Sequence, residues 1–153
     1  MKRAKILLVD DEIVFTNNIS RLLITRGYRV VVVNSGDSAI KALEEENFDV
    51  VVLDLKMPGM DGITTLKELK KLELFTETLI LTGHGAIDTA LEAIKLGAYD
   101  YLTKPCEIDE LVNKIEGAWG KKDSNEKKGM QKKIDKAIES PRSVLSKSPP
   151  RRV

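Results

Sequence analysis

Short apolar runs alternate with longer stretches in which apolar residues recur every three or four positions, from the start of the chain to about Trp119. The runs are Ile6-Leu7-Leu8-Val9, Val30-Val31-Val32-Val33, Val50-Val51-Val52-Leu53, Leu79-Ile80-Leu81-Thr82 and Tyr99-Asp100-Tyr101-Leu102. The first four are almost continuously apolar, as expected of strands covered by helices on both faces. The intervening stretches each carry one apolar stripe: Phe15, Ile19, Leu22 and Leu23; Ala39, Ile40 and Leu43; Ile63, Leu66 and Leu69; Ile87, Ala90, Leu91 and Ile94; Leu111, Val112 and Ile115. Such stripes predict amphipathic helices lying on a sheet. Gly27 and Gly97 stand where helices should stop, and Ser35-Gly36-Asp37 and Met57-Pro58-Gly59 carry turn chemistry. Five strand-then-helix repeats predict an α/β fold with a doubly wound, five-stranded parallel sheet and five helices.

Sites in such sheets form outside the carboxyl ends of the strands. The first strand runs into Asp10-Asp11-Glu12, the third into Asp54 and the fifth into Thr103-Lys104-Pro105, while the fourth ends at Thr82. Each has a plain structural reading: a helix cap for Asp10 and Asp11, a turn-former for Asp54, a strand end for Thr82, a solvated loop lysine for Lys104. Their coincidence at four strand ends that can meet favours chemistry. Three close aspartates repel one another and call for a compensating cation. Oxygen-only ligation suits Mg²⁺, or Mn²⁺, rather than zinc. A carboxylate in such a pocket can act as a nucleophile and carry a phosphoryl group. Lys104 would then pair with a phosphoryl oxygen and Thr82 would donate a hydrogen bond to another.

The segments ILLVDDE at 6–12, VVLDLKMPGMDG at 51–62, LILTGHG at 79–85 and LGAYDYLTKP at 96–105 resemble the receiver domain of two-component response regulators. The wording from Leu81 to Pro105 is similar to receivers of NtrC-like regulators. The resemblance spans residues 4–119 and implies a flavodoxin-like (CheY-like) sheet of strand order 2-1-3-4-5. It implies that Asp54 is the phosphoacceptor, and that Asp10, Asp11, Asp54 and the backbone carbonyl of Lys56 hold Mg²⁺. It makes Thr82 and Tyr101 the switch pair and Lys104 the phosphate-pairing lysine, with a cis Lys104–Pro105 bond. Lys56 and His84 are expected to tune phosphoryl lifetime. The implied donor is a sensor histidine kinase. The surface expected to respond is the fourth helix, fifth strand and fifth helix, with a phosphorylation-dependent homodimer as one outcome. On this reading the protein is a switch that catalyses only its own phosphorylation and dephosphorylation.

Charge divides the chain. The net +1 conceals a balance of −6 over residues 1–119 and +7 over residues 120–153. The expected organisation is a receiver at 1–119 and a basic tail or linker remnant at 120–153, disordered by default, with at most a weak helix through Met130, Ile134 and Ile138. Such a tail can touch nucleic acid, but no DNA-reading module is visible in it. No apolar run is long enough for a signal peptide or a membrane span, so the expected location is cytoplasmic. Cys106 is the single cysteine and excludes an internal disulfide. Rival readings are a phosphorelay carrier, the receiver part of a transcriptional regulator, an aspartate-nucleophile phosphatase and a pseudo-receiver. The phosphatase would carry Asp-x-Asp after the first strand, where Asp10-Asp11-Glu12 stands instead. The pseudo-receiver would lack part of the Asp10, Asp11, Asp54, Thr82, Lys104 set.

Overall fold

A computed structural model describes residues 3–147 of the chain. Five parallel strands, β1 (Lys5–Val9), β2 (Arg29–Val33), β3 (Val50–Leu53), β4 (Glu77–Thr82) and β5 (Asp100–Thr103), form one sheet in the order β2-β1-β3-β4-β5. They alternate with α1 (Ile13–Thr25), α2 (Gly36–Glu45), α3 (Gly62–Lys70), α4 (Ile87–Lys95) and α5 (Ile108–Lys147), and a short 3₁₀ turn at His84–Ala86 precedes α4. The strand order reverses between β1 and β3, so the crevice at their carboxyl ends is the topological switch point.

Strand alternation sorts the core into two layers. Leu7, Val9, Val51, Leu53 and Ile80 face one way and pack with Ala39 and Leu43 of α2, Leu66 and Leu69 of α3, and Ala90 and Ala93 of α4. Ile6, Leu8, Val50, Val52, Leu79, Leu81 and Leu102 face the other way, against Ile19 and Leu23 of α1 and Leu111, Ile115 and Ala118 of α5. Truncating a fully buried leucine such as Leu53 to alanine would cost roughly 2–5 kcal/mol.

Local chemistry fixes the helix starts nearest the crevice. The Ser35 hydroxyl accepts from Ser38 N at 3.2 Å to cap α2, and the Asp61 carboxylate accepts from Thr64 N at 2.8 Å to cap α3. Gly62, the first residue of α3, is pressed against β3: a Cβ there would stand 2.4 Å from Leu55 Cα and 2.6 Å from Asp54 O. Gly27 (φ 94°) and Gly97 (φ 111°) follow α1 and α4 in the left-handed region, as the sequence predicts.

The chain divides into two compact units, Met1–Lys122 and Asp123–Val153, so the first closes three residues beyond Trp119. In the second unit helix continues through Lys147 where composition alone predicts disorder. Lys, Glu, Gln and Ala are good helix formers, and Lys127–Asp123 and Gln131–Asp135 pair one turn apart at 3.0 and 2.9 Å. These offset Gly129, which weakens the helix. Ser148, the two prolines, the two arginines and Val153 lie outside the described residues. No helix among the described residues is long and apolar enough to cross a membrane.

Candidate functional site

The sheet ladder runs one residue past three strand ends and thereby sets the site. Asp10 N donates to Val33 O at 3.2 Å, Asp54 N to Val9 O at 3.0 Å, and Lys104 N to Thr82 O at 2.8 Å. Each functional side chain therefore leaves a backbone held by its neighbouring strand. Asn34 Nδ2 also donates to Asp10 O at 2.8 Å, tying the acidic loop to the end of β2. The Lys104–Pro105 bond is cis.

Asp54 is 4% exposed and sits centrally. Its Oδ1 accepts from Thr82 Oγ1 at 2.9 Å and from the backbone N–H of Lys56 at 3.3 Å. Its Oδ2 lies 3.5 Å from Lys104 Nζ. That ammonium is nearer two other carboxylates, Asp10 Oδ2 and Glu12 Oε1, both at 2.6 Å. The Phe15 ring covers a further side, with its centroid 4.4 Å from Nζ.

Three carboxylates thus surround one ammonium. Oxygens of Asp10, Glu12 and Asp54 all fall within 4.8 Å of one another, a grouping able to hold a metal ion. Burial pushes the Asp10 carboxyl up, Asp54 adds like-charge repulsion, and hydrogen bonds from Lys104 and Glu12 N only partly offset this. Burial pulls the Lys104 ammonium down, but its hydrogen bonds to Asp10 and Glu12 and the charge of Asp54 outweigh that and raise it above the ordinary lysine value. The pocket carries excess negative charge and only oxygen donors among its anionic groups, which fits a hard divalent cation.

The residues expected from sequence distribute unevenly. Asp10, Asp54, Thr82 and Lys104 converge. Asp11 is half-buried and stands outside the Asp10–Glu12–Asp54 grouping. Lys56 is exposed two residues after Asp54, His84 is exposed in the 3₁₀ turn after β4, and Lys56 Nζ lies 3.7 Å from where a Gly85 Cβ would be. Tyr101 is half-buried and packs on the layer containing Leu7 and Ile80. Sequence reasoning left out Glu12, Phe15 and Asn34. Glu12 adjoins the acidic pair, and Phe15 begins the α1 stripe, so both were visible as neighbours of the site.

Fold and site together define a flavodoxin-like α/β module with an acidic, lysine-closed crevice at its switch point. The chain belongs to the response regulator receiver domain family, whose model matches residues 6–116. It is similar to the transcriptional regulatory protein ZraR of Escherichia coli (strain K12), at 44% identity over 113 residues, 74% of this chain and 26% of that protein. It is also similar to the transcriptional regulatory protein FixJ of Bradyrhizobium diazoefficiens, at 39% identity over 116 residues, 76% of this chain and 57% of that protein. Among solved structures, a response regulator receiver domain from Clostridium thermocellum superposes with a TM-score of 0.75 at 38% identity, covering 79% of this chain and 98% of that one. The chain spans about a quarter of the length of the ZraR proteins it matches.

Proposed function

We propose that Asp54 accepts a phosphoryl group from a phosphohistidine of a sensor histidine kinase and that the domain switches its surface in response. The observation that carries this reading is the convergence of Thr82 Oγ1 (2.9 Å) and Lys104 Nζ (3.5 Å) on the buried Asp54 carboxylate. In the transfer, an Asp54 carboxylate oxygen forms the new P–O bond while the P–N bond breaks and its electron pair stays on the imidazole nitrogen. Lys104 and Thr82 offer a cation and a hydroxyl to the incoming phosphoryl oxygens, so catalysis is largely positioning and charge stabilisation.

Asp10, Asp11, Asp54 and the Lys56 carbonyl would hold Mg²⁺, with Mn²⁺ as a substitute, and Glu12 joins the acidic wall that favours it. When bound, the ion supplies charge neutralisation among the carboxylates and the phosphoryl oxygens. Lys56 and His84, two residues after Asp54 and Thr82 respectively, tune the access of the water that later hydrolyses the aspartyl-phosphate.

Thr82 and Tyr101 form the switch. The Thr82 hydroxyl faces Asp54 and the Tyr101 ring rests on the core, so phosphorylation stabilises an arrangement this fold already accommodates. The surface it biases includes a hollow of about 340 Å³ between β5 and α5, lined by Tyr101, Asp100, Glu110 and Lys114. A partner, an output domain or a second copy of the chain would read that surface. Residues 120–153 are a basic extension outside the phosphoacceptor machinery.

Intact-mass spectrometry after incubation with acetyl phosphate tests the reading. One added phosphoryl group that requires Mg²⁺ and is absent in Asp54→Ala supports it. Failure of wild type to take up phosphate from acetyl phosphate and from its kinase overturns it.

A further inference from the structure

We propose that Phe15 is a positioning residue for phosphoryl transfer: its ring face holds the Lys104 ammonium beside Asp54 and bars it from swinging out toward solvent with Glu12. The inference rests on the receiver reading above and adds a residue to that site.

The geometry around Nζ carries it. Three carboxylates compete for this ammonium, and Asp54, the one that matters for transfer, is the farthest at 3.5 Å against 2.6 Å for Asp10 and Glu12. Glu12 is 61% exposed at its side chain, so a lysine following it would move outward. Lysine is a long, flexible side chain and nothing in its own stem prevents this. Lys104 is nonetheless only 13% exposed. The Phe15 ring lies 4.4 Å from Nζ and offers the negative face of its quadrupole.

Phe15 is well anchored for this task. It lies in the first turn of α1, immediately after the acidic loop, and packs against the layer built from Ile6, Leu8 and Ile19. The ring packed on the core and the strand-held Lys104 backbone thus flank the ammonium where it lies near Asp10, Glu12 and Asp54. An aliphatic side chain of similar size would fill the same space but provide no attractive face.

The test compares Phe15→Leu with Phe15→Tyr in the full chain. It reads the rate of Asp54 phosphorylation by acetyl phosphate and, separately, the NMR shift of the Lys104 Hε protons without any donor. Phe15→Leu should slow uptake roughly three- to tenfold, the range of a partly desolvated cation–π contact. Phe15→Tyr should recover most of the rate. In a Lys104→Met background Phe15→Leu should add no further loss, because the ring acts through the ammonium. Wild-type Hε protons should show an upfield ring-current shift that Phe15→Tyr keeps and Phe15→Leu loses. An equal slowing by Phe15→Leu and Phe15→Tyr, or a further slowing by Phe15→Leu without Lys104, overturns the proposal. If wild type takes up no phosphoryl group, the receiver reading falls on its own. The Lys104 signal then still decides the positional claim: no ring-current shift overturns it.

Discussion

Thr82 reaches from the end of β4 to donate a 2.9 Å hydrogen bond to Asp54, so the Asp54 carboxylate is held by a hydroxyl that is itself fully buried. Thr82→Val keeps the shape and removes the donor. Asp54 Oδ1 would retain only the 3.3 Å bond from Lys56 N, and the domain should lose about 1–2 kcal/mol, read by urea denaturation. Phosphoryl uptake at Asp54 should slow, and any phosphorylation-dependent change in partner binding or self-association should disappear. Uptake at the wild-type rate in a folded Thr82→Val variant would remove Thr82 from the transfer.

The excess of negative charge predicts stabilisation by a divalent cation. A Mg²⁺ titration should raise the melting temperature of wild type, by about 1.4 kcal/mol of stability at ten times Kd. Asp11→Asn and Asp54→Asn should each remove most of that gain. Without Mg²⁺, Asp54→Asn should melt higher than wild type, because it removes the repulsion that Asp54 adds to the burial of the Asp10 carboxyl. Equal Mg²⁺ responses in all three proteins would contradict the proposed ligand set.

Asp61 caps α3, and hydrogen bonds from Thr64 and Ile63 hold its carboxyl below the usual carboxylate range. A depressed folded value means the charged form is favoured by folding. The contribution is present above the unfolded value and is lost as pH falls through the folded one. Asp61→Ala should therefore cost about 1 kcal/mol near neutral pH and progressively less in acid. Chemical denaturation at a series of pH values measures this, and a pH-independent difference would show that packing, not the charged cap, is lost.

Glu77 behaves in the opposite sense. It opens β4 nearly buried, with Oε1 lacking a hydrogen bond and Lys121 Nζ 3.9 Å away. Burial raises its carboxyl, only partly opposed by Lys121 and Lys70. The stability linked to this group is full below the unfolded value and falls as pH rises through the folded one. Glu77→Gln should stabilise the domain on the order of 1 kcal/mol at neutral pH and have little effect well below the ordinary glutamate range. A loss at neutral pH would show that the Lys121 contact outweighs burial.

The strands were legible where both faces are covered. β1 and β3 are buried along almost all their length, and an apolar run marks them directly. β4 is longer than its apolar run, because Glu77 and Thr78 are polar yet enclosed. Four of the site residues, Asp10, Asp54, Thr82 and Lys104, were legible because strand ends in a doubly wound sheet are known places. Phe15 and Glu12 were visible only as neighbours, since the part they play depends on where a flexible lysine comes to rest. Asn34 likewise depends on a loop conformation that spacing does not encode. In the helix beyond Lys122, a polar, basic composition poor in aromatics suggested disorder, whereas the Lys, Glu, Gln and Ala it contains are helix formers.

Gly62 leaves no room for a methyl group between α3 and the Asp54–Leu55 backbone, and its N–H also donates to Leu55 O at 3.0 Å. The loop after Asp54 is therefore stapled to the strand it leaves, as a clasp of set circumference. Randomising position 62 in a library selected for folding should return glycine almost alone. Inserted residues between Asp54 and Gly62 would have to bulge outward, so this stretch should tolerate changes in its side chains far better than changes in its length.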